Sequence, residues 1–86
     1  MAQLIACPCC GYRTIVDSYD ICTICRWEHD PAQEQDPDSD FGANHVSLRE
    51  GQKNFEKLGV CDPAHARYAA SPDEDEERDP NWKPLS

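Results

Sequence analysis

The sequence predicts a small α+β fold, and three features carry that prediction. Two Cys-x-x-Cys pairs, Cys7/Cys10 and Cys22/Cys25, are separated by eleven residues. The stretch Tyr12–Val16 between them is rich in strand formers. Further on, Ser47 and Glu50 frame the start of one clear helix. Four thiols presented by two knuckles match a tetrahedral structural zinc site. The expected architecture is a rubredoxin-like zinc ribbon of two knuckles and a short hairpin. One packed helix over about 48–58 and an acidic C-terminal tail complete it. Residues 1–70 form the expected domain, and 71–86 the acidic segment that docks through Trp82.

The elements follow in chain order. Residues 1–6 lead into the first knuckle as a short strand. Gly11 suits the crowded backbone that closes a knuckle. Tyr12–Val16 is a strand, Asp17-Ser18 a turn, and Tyr19–Ile21 a return to the second knuckle. Trp27 is an apolar lid over the metal site, with partner binding as the alternative. Residues 30–46 hold two prolines and several acids but no Lys or Arg, the composition of a loop. Asp36, Asp38 and Asp40 alternate as in a calcium loop, but Gly42 falls one place late and Ser47 stands where Glu is required. Ser47 caps the helix, and Leu48, Phe55 and Leu58 form its apolar stripe. Gly51 costs about 1 kcal/mol in a helix interior and marks a close contact. Gly59 ends the helix. Pro63 starts a short helical turn, with Tyr68 docking on the core. Five consecutive acids, Asp73–Glu77, precede Trp82.

The expected metal ligands are Cys7, Cys10, Cys22 and Cys25, holding one structural Zn²⁺. Cys9 lies inside the first knuckle as a spare thiol, and Cys61 is a small core residue. With four thiols in place, His29, His45 and His65 are not needed as ligands. A four-thiolate zinc has no open position to activate water. No nucleophile and base pair, phosphate loop or pair of catalytic carboxylates is recognisable, so the chain is not expected to be an enzyme.

Length and charge narrow the function further. Eighty-six residues, 38% of them hydrophobic, make a thin core. Ordering a residue costs about 1–2 kcal/mol, so a bound metal is expected to hold such a fold together. Clustered thiols of this kind belong to a reducing compartment. The opening residues lack the basic start of a signal peptide. No run approaches the roughly 20 apolar residues that span a bilayer. The expected location is the cytoplasm, without a membrane partner. Seventeen acids against eight bases give a net charge of -9. That charge repels nucleic acid and favours a basic protein partner.

One linked set of residues resembles a known family. Cys7-Pro8-Cys9-Cys10-Gly11-Tyr12, then Tyr19-Asp20-Ile21-Cys22-x-x-Cys25-x-Trp27-Glu28-x-Asp30, then Gly42-Ala43-Asn44-x-x-Ser47-Leu48-x-Glu50-x-Gln52-x-Asn54-Phe55-x-x-x-Gly59 are similar to the bacterial cysteine-rich CPCC domain family. The resemblance spans about residues 5–60, and Asp79-Pro80-x-Trp82 extends it. It implies a small cytosolic protein, several members of the family resembling immunity proteins paired with bacterial toxins. The expected function is to bind a cognate toxin domain, basic in charge, and cover its active site with an acidic surface. The expected contacts are Trp27, Glu34, Asp36, Asp38, Asp40, Phe41, Asp73, Glu74, Asp75, Glu76 and Glu77, presented by a monomer. The alternatives are a zinc-ribbon module of the transcription or nucleic-acid machinery and a general interaction adaptor.

Overall fold

The computed structural model describes residues 4–69, 72 and 76–85. Strand β1 (Ile5–Ala6) pairs antiparallel with β2 (Arg13–Ile15), Ile5 opposite Ile15 and Ala6 opposite Arg13 across a bulge. This hairpin encloses the first knuckle, whereas the expected one lay between the knuckles. Inside it, the Cys7 N–H donates to the Tyr12 carbonyl at 2.8 Å and the Gly11 N–H to the Cys7 carbonyl at 2.7 Å. The second knuckle repeats the pattern. The Cys22 N–H donates to the Trp27 carbonyl at 2.9 Å and the Arg26 N–H to the Cys22 carbonyl at 3.0 Å. Ile21 and Glu28 form a bridge around it. The return segment therefore pairs with residues beyond its own knuckle, not with β2. A tight turn joins the halves: the Asp20 carboxylate accepts from the Val16 and Asp17 N–H groups, each at 2.9 Å.

Residues 30–46 contain a helix where a loop was expected: α1, Pro31–Gln35. Asp30 caps it, accepting the Ala32 N–H at 2.9 Å, and Pro31 occupies the first turn, where no N–H is needed. Its buried residue is Gln33. The Gln33 amide nitrogen reaches the carbonyls of Ser39, Asn44 and Val46, and its oxygen accepts from the Asn44 backbone and side chain. Asn44 in turn holds the Glu28 backbone through both ends of its amide. A paired polar network thus pins the acidic segment where apolar residues are scarce.

Helix α2 (Leu48–Leu58) has the expected bounds. The Ser47 hydroxyl accepts the Glu50 N–H at 3.1 Å, and Gly59 at φ +79 closes the other end in the left-handed conformation. Its buried residues are Leu48, Gly51 and Gln52, while Leu58 is 43% exposed. Leu48 and Phe55 of the expected stripe do pack on the core, and Leu58 is the member that turns outward. The helix approaches the core closely at Gly51, where a Cβ would stand 3.4 Å from both Cys9 Sγ and the Trp27 ring, an ordinary contact distance.

A short 3-10 helix over Pro63–Tyr68 follows, capped by Asp62. Tyr68 is 50% exposed and does not dock on the core as expected. It lies under the Arg26 guanidinium, 5.4 Å from the ring centroid. The C-terminal segment crosses the first knuckle. Arg78 bridges to Tyr12, and the Asp79 N–H donates to the Gly11 carbonyl at 2.8 Å. The Trp82 and Gln52 side chains both donate to the Pro8 carbonyl, at 3.0 and 2.8 Å. The core itself is Ile15, Ile24, Trp27 and Leu48 around six buried cysteines.

Candidate metal centre

The two knuckles bring Cys7, Cys10, Cys22 and Cys25 together at the centre of that core. All four sulfurs lie within 4.8 Å of one another and all four residues are buried. Two of these separations cross between knuckles: Cys7 to Cys25 at 3.6 Å and Cys10 to Cys22 at 3.7 Å. Thiolates about 2.3 Å from one tetrahedral ion stand about 3.8 Å apart along the edges. The residues present therefore fit a four-coordinate metal, and the four cysteines can hold one.

The backbone supplies donors to the sulfurs. The Ile24 and Cys25 N–H groups point at Cys22 Sγ at 3.4 and 3.5 Å, and the Trp27 N–H at Cys25 Sγ at 3.4 Å. The Thr14 hydroxyl adds a bond to Cys22 Sγ at 3.0 Å. Hydrogen bonds from Cys10, Cys25, Cys7 and Thr14 hold the Cys22 thiol well below its usual range. Three backbone N–H groups and one hydroxyl thus aim at the Cys22 and Cys25 sulfurs and favour their thiolate form.

Each knuckle requires a left-handed residue just after its second cysteine. Gly11 fills that place at φ +84, and Arg26 at φ +71. Glycine adopts this conformation without strain, whereas arginine incurs it. Arg26 is the equivalent of Gly11, a relation that the spacing of the two pairs would have revealed.

Cys9 and Cys61 are buried outside the ligand set. Burial pushes the Cys61 thiol up, as suits an inert core residue. Among the described residues, the four cysteines are the one group of three or more close metal-binding side chains. His29 instead turns to Glu34, its Nδ1 2.8 Å from Oε2.

The proposed partner contacts divide sharply. Trp27 is fully buried against the metal cage, and its Nε1 donates to Glu34 Oε2 at 3.0 Å. Its body is a lid, so it offers no surface to a partner. Glu34 is likewise used internally, by Trp27 and His29, with its side chain 15% exposed. Both are corrections to the expected contact set. Asp36, Asp38 and Asp40 are exposed, and Phe41 is 89% exposed. Asp38 accepts from Arg49 Nε at 2.6 Å, which holds its carboxyl below the usual range. Glu76 accepts from the Thr23 hydroxyl at 3.1 Å, and Glu77 lies 3.9 Å from Arg13. Asp73, Glu74 and Asp75 lie outside the described residues. Among the described residues, no helix is long and apolar enough to cross a membrane.

The family model described as Cysteine-rich CPCC matches residues 5–76. The match takes in both knuckles, α1, α2 and the segment after them. Among curated proteins, none matches the chain.

Proposed function

The chain belongs to the cysteine-rich CPCC family, and from that premise we propose that it is a non-catalytic immunity protein of the cytoplasm, stabilised by one structural Zn²⁺. Cys7, Cys10, Cys22 and Cys25 hold the zinc; the ion closes the fold and takes no part in a reaction. The protein binds a basic toxin domain and covers its active site. One observation carries this reading: Phe41, 89% exposed, stands beside Asp36, Asp38 and Asp40 on a loop that is itself rigidly tied down. An exposed aromatic amid carboxylates, on a backbone held by Gln33 and Asn44, suits a hot spot with an acidic rim. The net charge of -9 supports the same polarity of partner. Preorganisation of the loop lowers the ordering cost of binding.

The test is co-expression with the product of the neighbouring gene, expected to be a toxin with a basic domain. The wild type is expected to rescue growth and to co-purify with the toxin. Phe41→Ala combined with Asp36→Asn and Asp40→Asn is expected to lose rescue while keeping its zinc. Recovery of tight nucleic-acid binding and no protein partner would overturn the reading in favour of a nucleic-acid module.

A further inference from the structure

Among the residues that line one groove, basic side chains outnumber acidic ones. This groove, of about 620 Å³, runs between α2 and the C-terminal segment. Arg49, Lys53 and Arg78 line it, three of the chain's eight basic residues, against Glu56 and Asp79. The Asp79 carboxylate is already 3.6 Å from Arg13, and Arg49 is bonded to Asp38. Among the described residues, neither Lys53 nor Arg78 has a carboxylate within ion-pair distance. The groove therefore has a surplus of positive charge inside a strongly anionic molecule.

Part of its wall is apolar and held in place. Phe55, Trp82 and Pro84 contribute flat surface. The Trp82 indole is anchored to the Pro8 carbonyl, and Gln52 Oε1 receives the Leu85 N–H at 2.7 Å. Arg78 is pinned by its bond to the Cys10 carbonyl at 2.9 Å. Its guanidinium lies 4.8 Å from the centre of the Trp82 ring and 5.5 Å from that of Tyr12. Small-molecule sites occupy about 300–1,000 Å³, mostly apolar with a few placed polar groups, and this groove has that size and character.

We propose that the groove binds a small organic anion, a flat apolar ring carrying one phosphate or carboxylate. The ring packs on Trp82 and Phe55, and the oxyanion pairs with Lys53 and Arg78. This inference does not depend on the toxin reading.

The experiment follows the two tryptophan indole N–H resonances of the full, zinc-loaded chain, with Trp27 as the buried reference. Adenosine monophosphate and 2-naphthoate are titrated, with adenosine as the uncharged control. Both anions are expected to shift the Trp82 resonance to saturation. Adenosine is expected to bind roughly tenfold more weakly than its phosphate, the loss of about one charged contact. Lys53→Glu alters an exposed helix position. It is expected to weaken both anions by roughly tenfold or more without changing zinc content or circular dichroism. The proposal fails if neither anion saturates by about 10 mM. It fails equally if adenosine matches its phosphate, if Lys53→Glu changes nothing, or if an acidic peptide binds where both small anions do not.

Discussion

Replacing Gly11 by Ala tests the coupling between the first knuckle and the C-terminal segment. A Cβ at this position would stand 2.6 Å from Cδ2 and Cε3 of Trp82 and 2.9 Å from its Cγ. Those are ring atoms, so the whole indole must move. The backbone at φ +84 adds a strain of about 1–2 kcal/mol for any residue with a Cβ. Displacing the indole breaks its bond to the Pro8 carbonyl, about 1 kcal/mol, and exposes apolar surface worth about 1–2 kcal/mol more. The expected loss is about 3–5 kcal/mol. Urea unfolding at fixed free zinc measures it, since stability depends on the metal concentration. The decisive comparison is the same substitution in a Trp82→Ala background. There only the backbone strain remains, so the cost should fall to about 1–2 kcal/mol. Equal costs in both backgrounds would refute the coupling.

Arg26 occupies the equivalent place in the second knuckle, so Arg26→Gly should be more stable than Arg26→Ala by about 1 kcal/mol, measured by the same unfolding series. Both variants lose the stack on Tyr68, which cancels in the comparison. Removal of the metal is expected to unfold the chain, because a structural zinc contributes on the order of 10 kcal/mol in small domains. Native mass spectrometry should find one zinc per chain, and circular dichroism after chelation, or of Cys22→Ser, should show loss of cooperative structure. Asp30→Asn should cost about 1–2 kcal/mol at pH 7, through the cap of α1 and the bond from the Ala43 N–H at 2.9 Å. The Ala43 N–H, with those of Ala32 and Gln33, holds the Asp30 carboxyl below its usual range. Its stabilisation is thus complete above the ordinary carboxylate value of about 3.9 and is lost only as pH falls through the lower folded value. The gap between variant and wild type should therefore not shrink from about pH 7 to 5, and a gap that does shrink in that window contradicts the assignment.

The parts legible in the sequence are those set by short-range chemistry. The four-cysteine cluster follows from cysteine spacing, and α2 from Ser47, Glu50 and Gly59, all local signals. The hairpin was misplaced because Tyr12–Ile15 has two candidate partners of similar composition, and the knuckle's own hydrogen bonds select Ile5–Ala6. The helix α1 was hidden in an acidic stretch, though Asp30-Pro31 is the signature of a cap followed by a first turn. Gln33 and Asn44 are eleven positions apart, and nothing local couples them. The contact surface was the least legible part. Trp27 and Glu34 look like interface residues by type, but the indole N–H finds its acceptor within the same chain.

The oxygen of Pro8 has both its acceptor positions filled from a distance, by groups 44 and 74 residues further on. A chain emerging from the ribosome has all four clustered cysteines outside as soon as Cys25 is free, and could take up an ion there. The second acceptor position of the Pro8 oxygen stays unfilled until Trp82 follows. For most of synthesis, a nascent polypeptide would carry its metal in a cage whose front half is still unlatched.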